Sequence, residues 1–185
     1  MTIPRMEPLS PPYAPEVQAA LEKWMPPGSG VEPLRLFRTL AKNARLADRM
    51  RGLGGALLGG SGLPLRVREL LILRTTARCG AEYEWGVHVS AFAASVGLEE
   101  HVVAATAQQK RTGGALPGED EVLLALVDEL HDTASVSDET WSALAGRFDE
   151  TQILEMLAVV GFYHLISYVV NGVRIEREPW ARSFP

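Results

Sequence analysis

The chain has 185 residues, 46% of them hydrophobic and 22% charged, with a formal net charge of -5. That length suits one domain around one sizeable core, and the acidic balance excludes a nucleic-acid backbone as the main partner. The single cysteine excludes an internal disulfide and a multi-cysteine zinc site, so a reducing compartment suits the chain.

The opening MTIPRMEPLSPPYAP holds five of the twelve prolines and has no apolar stretch of signal-peptide type. It reads as an extended arm, followed by a short helix over Glu16 to Met25 and a breaker, 26-PPGSG-30. Residues 1–30 therefore form a proline-rich arm with a short helix, and residues 31–185 a helical domain. From Leu34 to about Leu58, leucines alternate with basic residues at helical spacing, and glycine pairs near 54 and 59 end or interrupt the helix. Pro64 looks like the first position of a helix running from Leu65 to about Arg78. Its arginines in 66-RVRELLILR-74 sit within an apolar set and read as a helix face, not a nucleic-acid footprint.

The next helix spans Tyr83 to Val96 and stops on Gly97. Glu99 to about Gln109 follows, then the loop 112-TGGALPG-118. Glu119 to about His131 is amphipathic, with Val122, Leu123, Leu126 and Leu130 on one face. Ser137 or Asp138 caps a short helix through Leu144, and Asp149 with Gln152 makes a capping box for the last helix. No stretch alternates with period two, so the fold class is all-α.

Ile153, Leu157, Val160, His164, Tyr168 and Asn171 share one stripe of the last helix, and Val159, Phe162, Ile166, Val169 and Val170 make the other side apolar too. The spacing predicts a helix buried all round, which in so small a chain points to a homo-oligomer. The run 156-MLAVVGFYHLISYVV-170 contains His164 and is short for a membrane span, so no membrane partner and a cytoplasmic location are expected.

The chemistry-bearing stretch is 82-EYEWGVH-88. Glu84 and His88, at i and i+4, project from one helix face, and a carboxylate beside an imidazole raises its pKa and fixes its orientation. By spacing alone such a pair is most often a solvated ion pair contributing about 0.3 kcal/mol. Glu69 lies on the preceding helix; if the two helices fold back on each other it reaches the same pocket. Two carboxylates at one histidine would hold a proton there. Glu69, Glu84, His88 and His164 form a nitrogen–oxygen ligand set, but no short metal-binding motif accompanies them, and no metal is expected. His101 and His131 receive no role.

The run 64-PLRVRELLILRTTARCGAEYEWGVHVSAFAASVGL-98 resembles the core motif of the carboxymuconolactone decarboxylase family, which includes the alkylhydroperoxidase D-like proteins. The resemblance continues through 123-LLALVDEL-130, 138-DETWSAL-144 and 161-GFYHLISYVVNGV-173. It implies an all-helical, single-domain bundle assembled as a trimer or hexamer, acting without metal or cofactor on a small molecule. The hydroperoxidase branch resembles E-x11-C-x2-C-x3-H; counted from Glu69, its cysteine places fall at Ala81 and Glu84 and its histidine at His88. The chain is thus similar to a member lacking the CxxC pair. The decarboxylase branch has a glutamate four residues before a histidine, as Glu84 and His88 are, whereas Glu69 departs from it.

A dithiol peroxidase needs a thiolate and a resolving thiol within bonding reach. Cys79 is alone, which leaves a one-cysteine peroxidase with an external thiol as the alternative. The leading expectation is a lyase-type enzyme running acid–base chemistry on a small carboxylated or lactone-type substrate. The resemblance implies His88 as proton donor or acceptor, with Glu84 and Glu69 setting its charge. Arg66 or Arg74 would hold a substrate carboxylate, Tyr83 and Trp85 would contact substrate, and His164 and Tyr168 would form the far wall. A helical assembly that binds a ligand without chemistry is the third reading.

Overall fold

The structure, a computed structural model, describes residues 3–25, 31–60, 62–109 and 116–185. It is built from helices α1 (Pro15–Glu22), α2 (Arg35–Leu40), α3 (Ala44–Gly59), α4 (Leu65–Arg78), α5 (Glu82–His88), α6 (Glu100–Ala107), α7 (Gly118–Thr133), α8 (Asp138–Ala145) and α9 (Glu150–Val173), with no strand among the described residues. The breaker at 26–30 and positions 112–115 of the expected loop lie outside the described residues.

Helix α4 is the axis of the bundle. Every residue from Val67 to Ala77 is buried, and α5, α6, α7 and α9 all pack around it. Its two threonines satisfy their hydroxyls within the helix, Thr75 donating to Leu71 O at 2.7 Å and Thr76 to Ile72 O at 2.9 Å. Pro64 is the N-cap, not the first helical residue. At the other end Cys79 caps the helix and Gly80 takes φ +63°, a left-handed conformation open to glycine at no steric cost. That turn sends α5 back along α4 and forms the helical hairpin on which the site depends.

α5 does not run as one regular helix to Val96. After His88 it passes through a π-helical turn, Val89–Ala93, before closing near Gly97 at φ +72°. Such single π turns recur at functional sites, where they re-aim the side chains beside them. Gly86 is required by a close approach: a Cβ there would stand 2.0 Å from the carbonyl oxygen of Arg182, in the C-terminal tail.

The segment expected as one helix from Leu34 to Leu58 is two. The first ends at Leu40, and Asn43 caps the second by accepting from Leu46 N at 3.1 Å. The glycine pair at 54 does not interrupt α3; Gly54 sits under the ring of Phe162. The expected caps of the last two helices are present, Ser137 on α8 and a full Asp149–Gln152 capping box on α9.

α9 departs from the expectation of burial all round. Val159, Val160, Phe162, Tyr163, Ile166 and Val170 face the core, but Leu154, Ala158, Gly161, Leu165, Tyr168 and Gly172 form a continuous exposed stripe at spacings of four and three. The helix is long and apolar enough by composition to cross a membrane, yet half of that stretch is buried inside the bundle. The proline-rich arm lies against the body, with Arg5 N donating to Val173 O at 2.9 Å.

Candidate active site

The hairpin brings Glu69, from the middle of α4, against His88, at the end of α5. Glu69 Oε2 lies 2.7 Å from His88 Nδ1, and both side chains are buried. On the imidazole's other edge, Nε2 lies 3.1 Å from the hydroxyl of Tyr163 on α9 and 3.5 Å from Glu84 Oε1. Behind Glu69 stands Arg68, whose Nε is 3.5 Å from Glu69 Oε1 and whose Nη1 donates to Leu58 O at 2.5 Å. Two carboxylates are therefore balanced by one guanidinium and, when it is protonated, one imidazole.

Burial by itself lowers the pKa of His88, but hydrogen bonds to Glu69 and Glu84 and their negative charge outweigh it and push the value up to about 9. At neutral pH the ring is an imidazolium. Its Nδ1–H donates to Glu69, and its Nε2–H is directed at Tyr163 and Glu84. With the Tyr163 oxygen accepting, the tyrosine's own O–H is free to donate elsewhere. Burial, then the charges of Glu84 and Glu69, hold the Tyr163 pKa well above the ordinary tyrosine value, so it stays a donor. Glu84 Oε2 is buried and has no hydrogen-bond partner.

Glu84, His88 and Tyr163 form the polar wall of a cavity of about 510 Å³. The rest of its lining is mostly apolar and aromatic, including Trp24, Phe37, Phe92, Phe162, Ile166 and Trp180, with Lys23 and Arg51 also contributing. A confined apolar hollow with a few converging polar groups is the usual form of a small-molecule site. The arrangement can hold a proton (on His88), donate one (through the Tyr163 hydroxyl) and accept one (on Glu84 Oε2) in a medium where charge is poorly screened.

The other expected residues stand away from this hollow. Arg66 makes a two-pronged pair with the buried Asp120, at 2.5 and 2.8 Å. Arg74 is fully buried, bonded to Asp128 at 2.8 Å and to the carbonyls of Thr106 and Gln108; both arginines hold helices together. Tyr83 is buried with its hydroxyl donating to Glu178 Oε1 at 2.8 Å and accepting from Leu36 N. Trp85 is wholly buried, its Nε1–H donating to Thr106 Oγ1 at 3.0 Å. Tyr168 is 66% exposed. His164 joins His131 and Cys79, not His88: His164 Nε2 lies 3.0 Å from His131 Nδ1, which lies 3.9 Å from Cys79 Sγ.

Sequence reasoning missed Tyr163, and with it the aromatic wall. The signal was available in part: Tyr163 shares the inward face of α9 with Val159, Phe162, Ile166 and Val170, and a tyrosine buried on such a face needs a polar partner for its hydroxyl.

The fold and site together define an all-helical protein whose helical hairpin buries a Glu–His pair beside an apolar cavity. Residues 44–128 match the model of the carboxymuconolactone decarboxylase family. Solved structures share the fold at low identity. An uncharacterised peroxidase-related protein from Silicibacter sp. TM1040 matches with a TM-score of 0.77 at 16% identity, covering 100% of both chains. A cysteine-to-alanine variant of the debrominase Bmp8, in complex with 2,3,4-tribromopyrrole, matches at 0.75 and 18%, covering 94% of this chain and 91% of that one. A protein of unknown function from Agrobacterium tumefaciens, described as a putative antioxidant defence protein AhpD, matches at 0.67 and 18%, covering 75% of this chain and 94% of that one. No curated protein matches the chain.

Proposed function

We propose that the protein is an enzyme of cofactor-free acid–base chemistry, acting on a small carboxylated or lactone-type substrate held in the cavity beside His88. The observation that carries this reading is the buried chain Glu69–His88–Tyr163 ending on a cavity that also receives the unpartnered oxygen of Glu84. In a decarboxylation of this kind, the bond from ring carbon to carboxylate breaks and its electron pair moves onto the conjugated lactone carbonyl. The Tyr163 hydroxyl stabilises the developing oxyanion, and His88 resupplies the proton that later reaches carbon. Glu84 Oε2 is suited to the reverse task, taking a proton from carbon next to a carbonyl. With Arg66 and Arg74 engaged elsewhere, Arg51 and Lys23 are the cations that support recognition of a substrate carboxylate at the cavity.

The peroxidase alternative has less support. Burial pushes the Cys79 thiol up from its ordinary pKa, and Cys79 does not line the cavity that Glu84 and His88 share. Peroxide consumption with an added thiol should be the same in the wild type and Cys79→Ser; a clear loss in the variant would favour the alternative.

The direct test incubates the protein with five-membered lactones bearing a carboxylate in D2O, following CO2 release and deuterium at carbon. His88→Gln should abolish both while leaving the circular dichroism unchanged, and undiminished turnover would remove His88 from its role. A binding protein without chemistry would be stabilised thermally by the same lactones with no isotope exchange. A homo-oligomer, trimer or hexamer, is part of the proposal, supported by the exposed apolar stripe of α9.

A further inference from the structure

Away from the cavity, the end of α4, the last turn of α7 and the middle of α9 bring Cys79, His131 and His164 together, with one ligand atom of each lying within 4.8 Å of the others. We infer that these three side chains form a binding site for a zinc-class divalent metal ion, with two imidazole nitrogens and one thiolate as protein ligands and solvent at the fourth position.

The geometry is close to what such an ion requires. Tetrahedral zinc, with Zn–N of about 2.0–2.1 Å and Zn–S of about 2.3 Å, sets its nitrogen ligands about 3.3 Å apart and nitrogen from sulfur about 3.6 Å. Here the two nitrogens are 3.0 Å apart, and His131 Nδ1 is 3.9 Å from Cys79 Sγ. Shifts of a few tenths of an ångström bring these two pairs to the tetrahedral values, and the third pair lies within 4.8 Å.

The tautomer of His164 is set correctly as well. His164 Nδ1–H donates to the carbonyl of Val160 at 2.9 Å, the outer hydrogen bond that metal-bound histidines characteristically make. Its Nε2 lone pair is thereby turned toward the cluster. Without metal, His131 Nδ1–H bridges to that lone pair, so an entering cation shifts this proton to His131 Nε2 and displaces the thiol proton of Cys79 to solvent.

Supporting contacts hold the ligands in place. Asn171 Nδ2 donates to the carbonyl of Cys79 at 2.8 Å, and α4 packs directly against both α7 and α9. The nearby Arg78 guanidinium opposes a cation, but it is paired with Asp128 and Asp132. All three ligands are half-buried, leaving an open side for water and for entry of the ion. The soft sulfur with two imidazoles selects zinc or its neighbours over magnesium or calcium.

The test titrates the full chain, freed of metal by a chelator, with Zn2+ and with Co2+. One ion should bind per chain, Co2+ should show a near-ultraviolet thiolate-to-metal band, and Zn2+ should slow thiol-reagent attack on Cys79. Cys79→Ser should remove the band and weaken Zn2+ binding by about tenfold or more, and His131→Gln should weaken it similarly. Circular dichroism checks that both variants fold. His88→Gln, in the other site, should leave stoichiometry and affinity unchanged. Absence of the band in the wild type, or equal Zn2+ affinity in the wild type, Cys79→Ser and His131→Gln, would overturn the inference.

Discussion

Replacing Glu69 by Gln keeps the size of the side chain and removes the charge that faces His88 Nδ1 at 2.7 Å. In the wild type the His88 pKa rises from the ordinary 6.5 to about 9 against the opposing effect of burial. A rise of that size corresponds to about 3 kcal/mol of preference for the protonated ring. Because the folded value lies above the unfolded one, the stabilisation is fully present below pH 6.5 and is lost as the pH climbs to about 9. With Glu69 neutral, burial remains and only Glu84, at the longer distance of 3.5 Å, still favours the charged ring. The titration of His88 should therefore fall by more than one pH unit, and the loss of stability between pH 6.5 and 9 should flatten. The assay is an NMR titration of the imidazole in both proteins, paired with urea unfolding at several pH values. A wild-type midpoint near 6.5, or a midpoint that Glu69→Gln leaves unmoved, would refute the reasoning.

Other outcomes follow from the same geometry. Tyr163→Phe keeps the ring against His88 and deletes the hydroxyl; activity on a competent substrate should drop about a hundredfold while the folding free energy changes by about 1 kcal/mol, read by kinetics and urea melts. Gly86→Ala places a methyl 2.0 Å from the Arg182 carbonyl, so the C-terminal tail must shift at a cost of about 1–3 kcal/mol, visible as a lower melting temperature and faster proteolysis of the tail. Leu165→Glu puts a charge in the exposed stripe of α9 and should reduce the mass measured by light scattering to that of one chain. An unchanged mass would mean that this stripe is not where copies meet.

The local features were the legible ones. Asp149 with Gln152, Ser137 and Gly97 mark helix ends through their own hydrogen bonds or dihedral angles, and those ends stand where the motifs put them. Asn43 carries an equally local signal and was overlooked, because the leucine periodicity on either side of it continues in phase. The glycines at 54 and 55 misled for a different reason. Gly54 is there to admit the Phe162 ring, a demand made by a helix more than a hundred residues away.

The site divides along the same line. Glu84 and His88 are neighbours on one helix, and Gly80 makes the return of α5 along α4 foreseeable, so the meeting of Glu69 with His88 could be anticipated from chain direction. Tyr163 could not be phased against them, since the rotation of α9 about its axis depends on packing against α3, α4 and α5 at once. The same rotation decides the fate of His164. Its neighbour Tyr163 turns toward His88, so His164, one residue and roughly 100° further around the helix, must face another sector, where α7 presents His131 and α4 ends in Cys79. Two adjacent residues of α9 thus serve two separate polar clusters, and placing Tyr163 in the first excludes His164 from it.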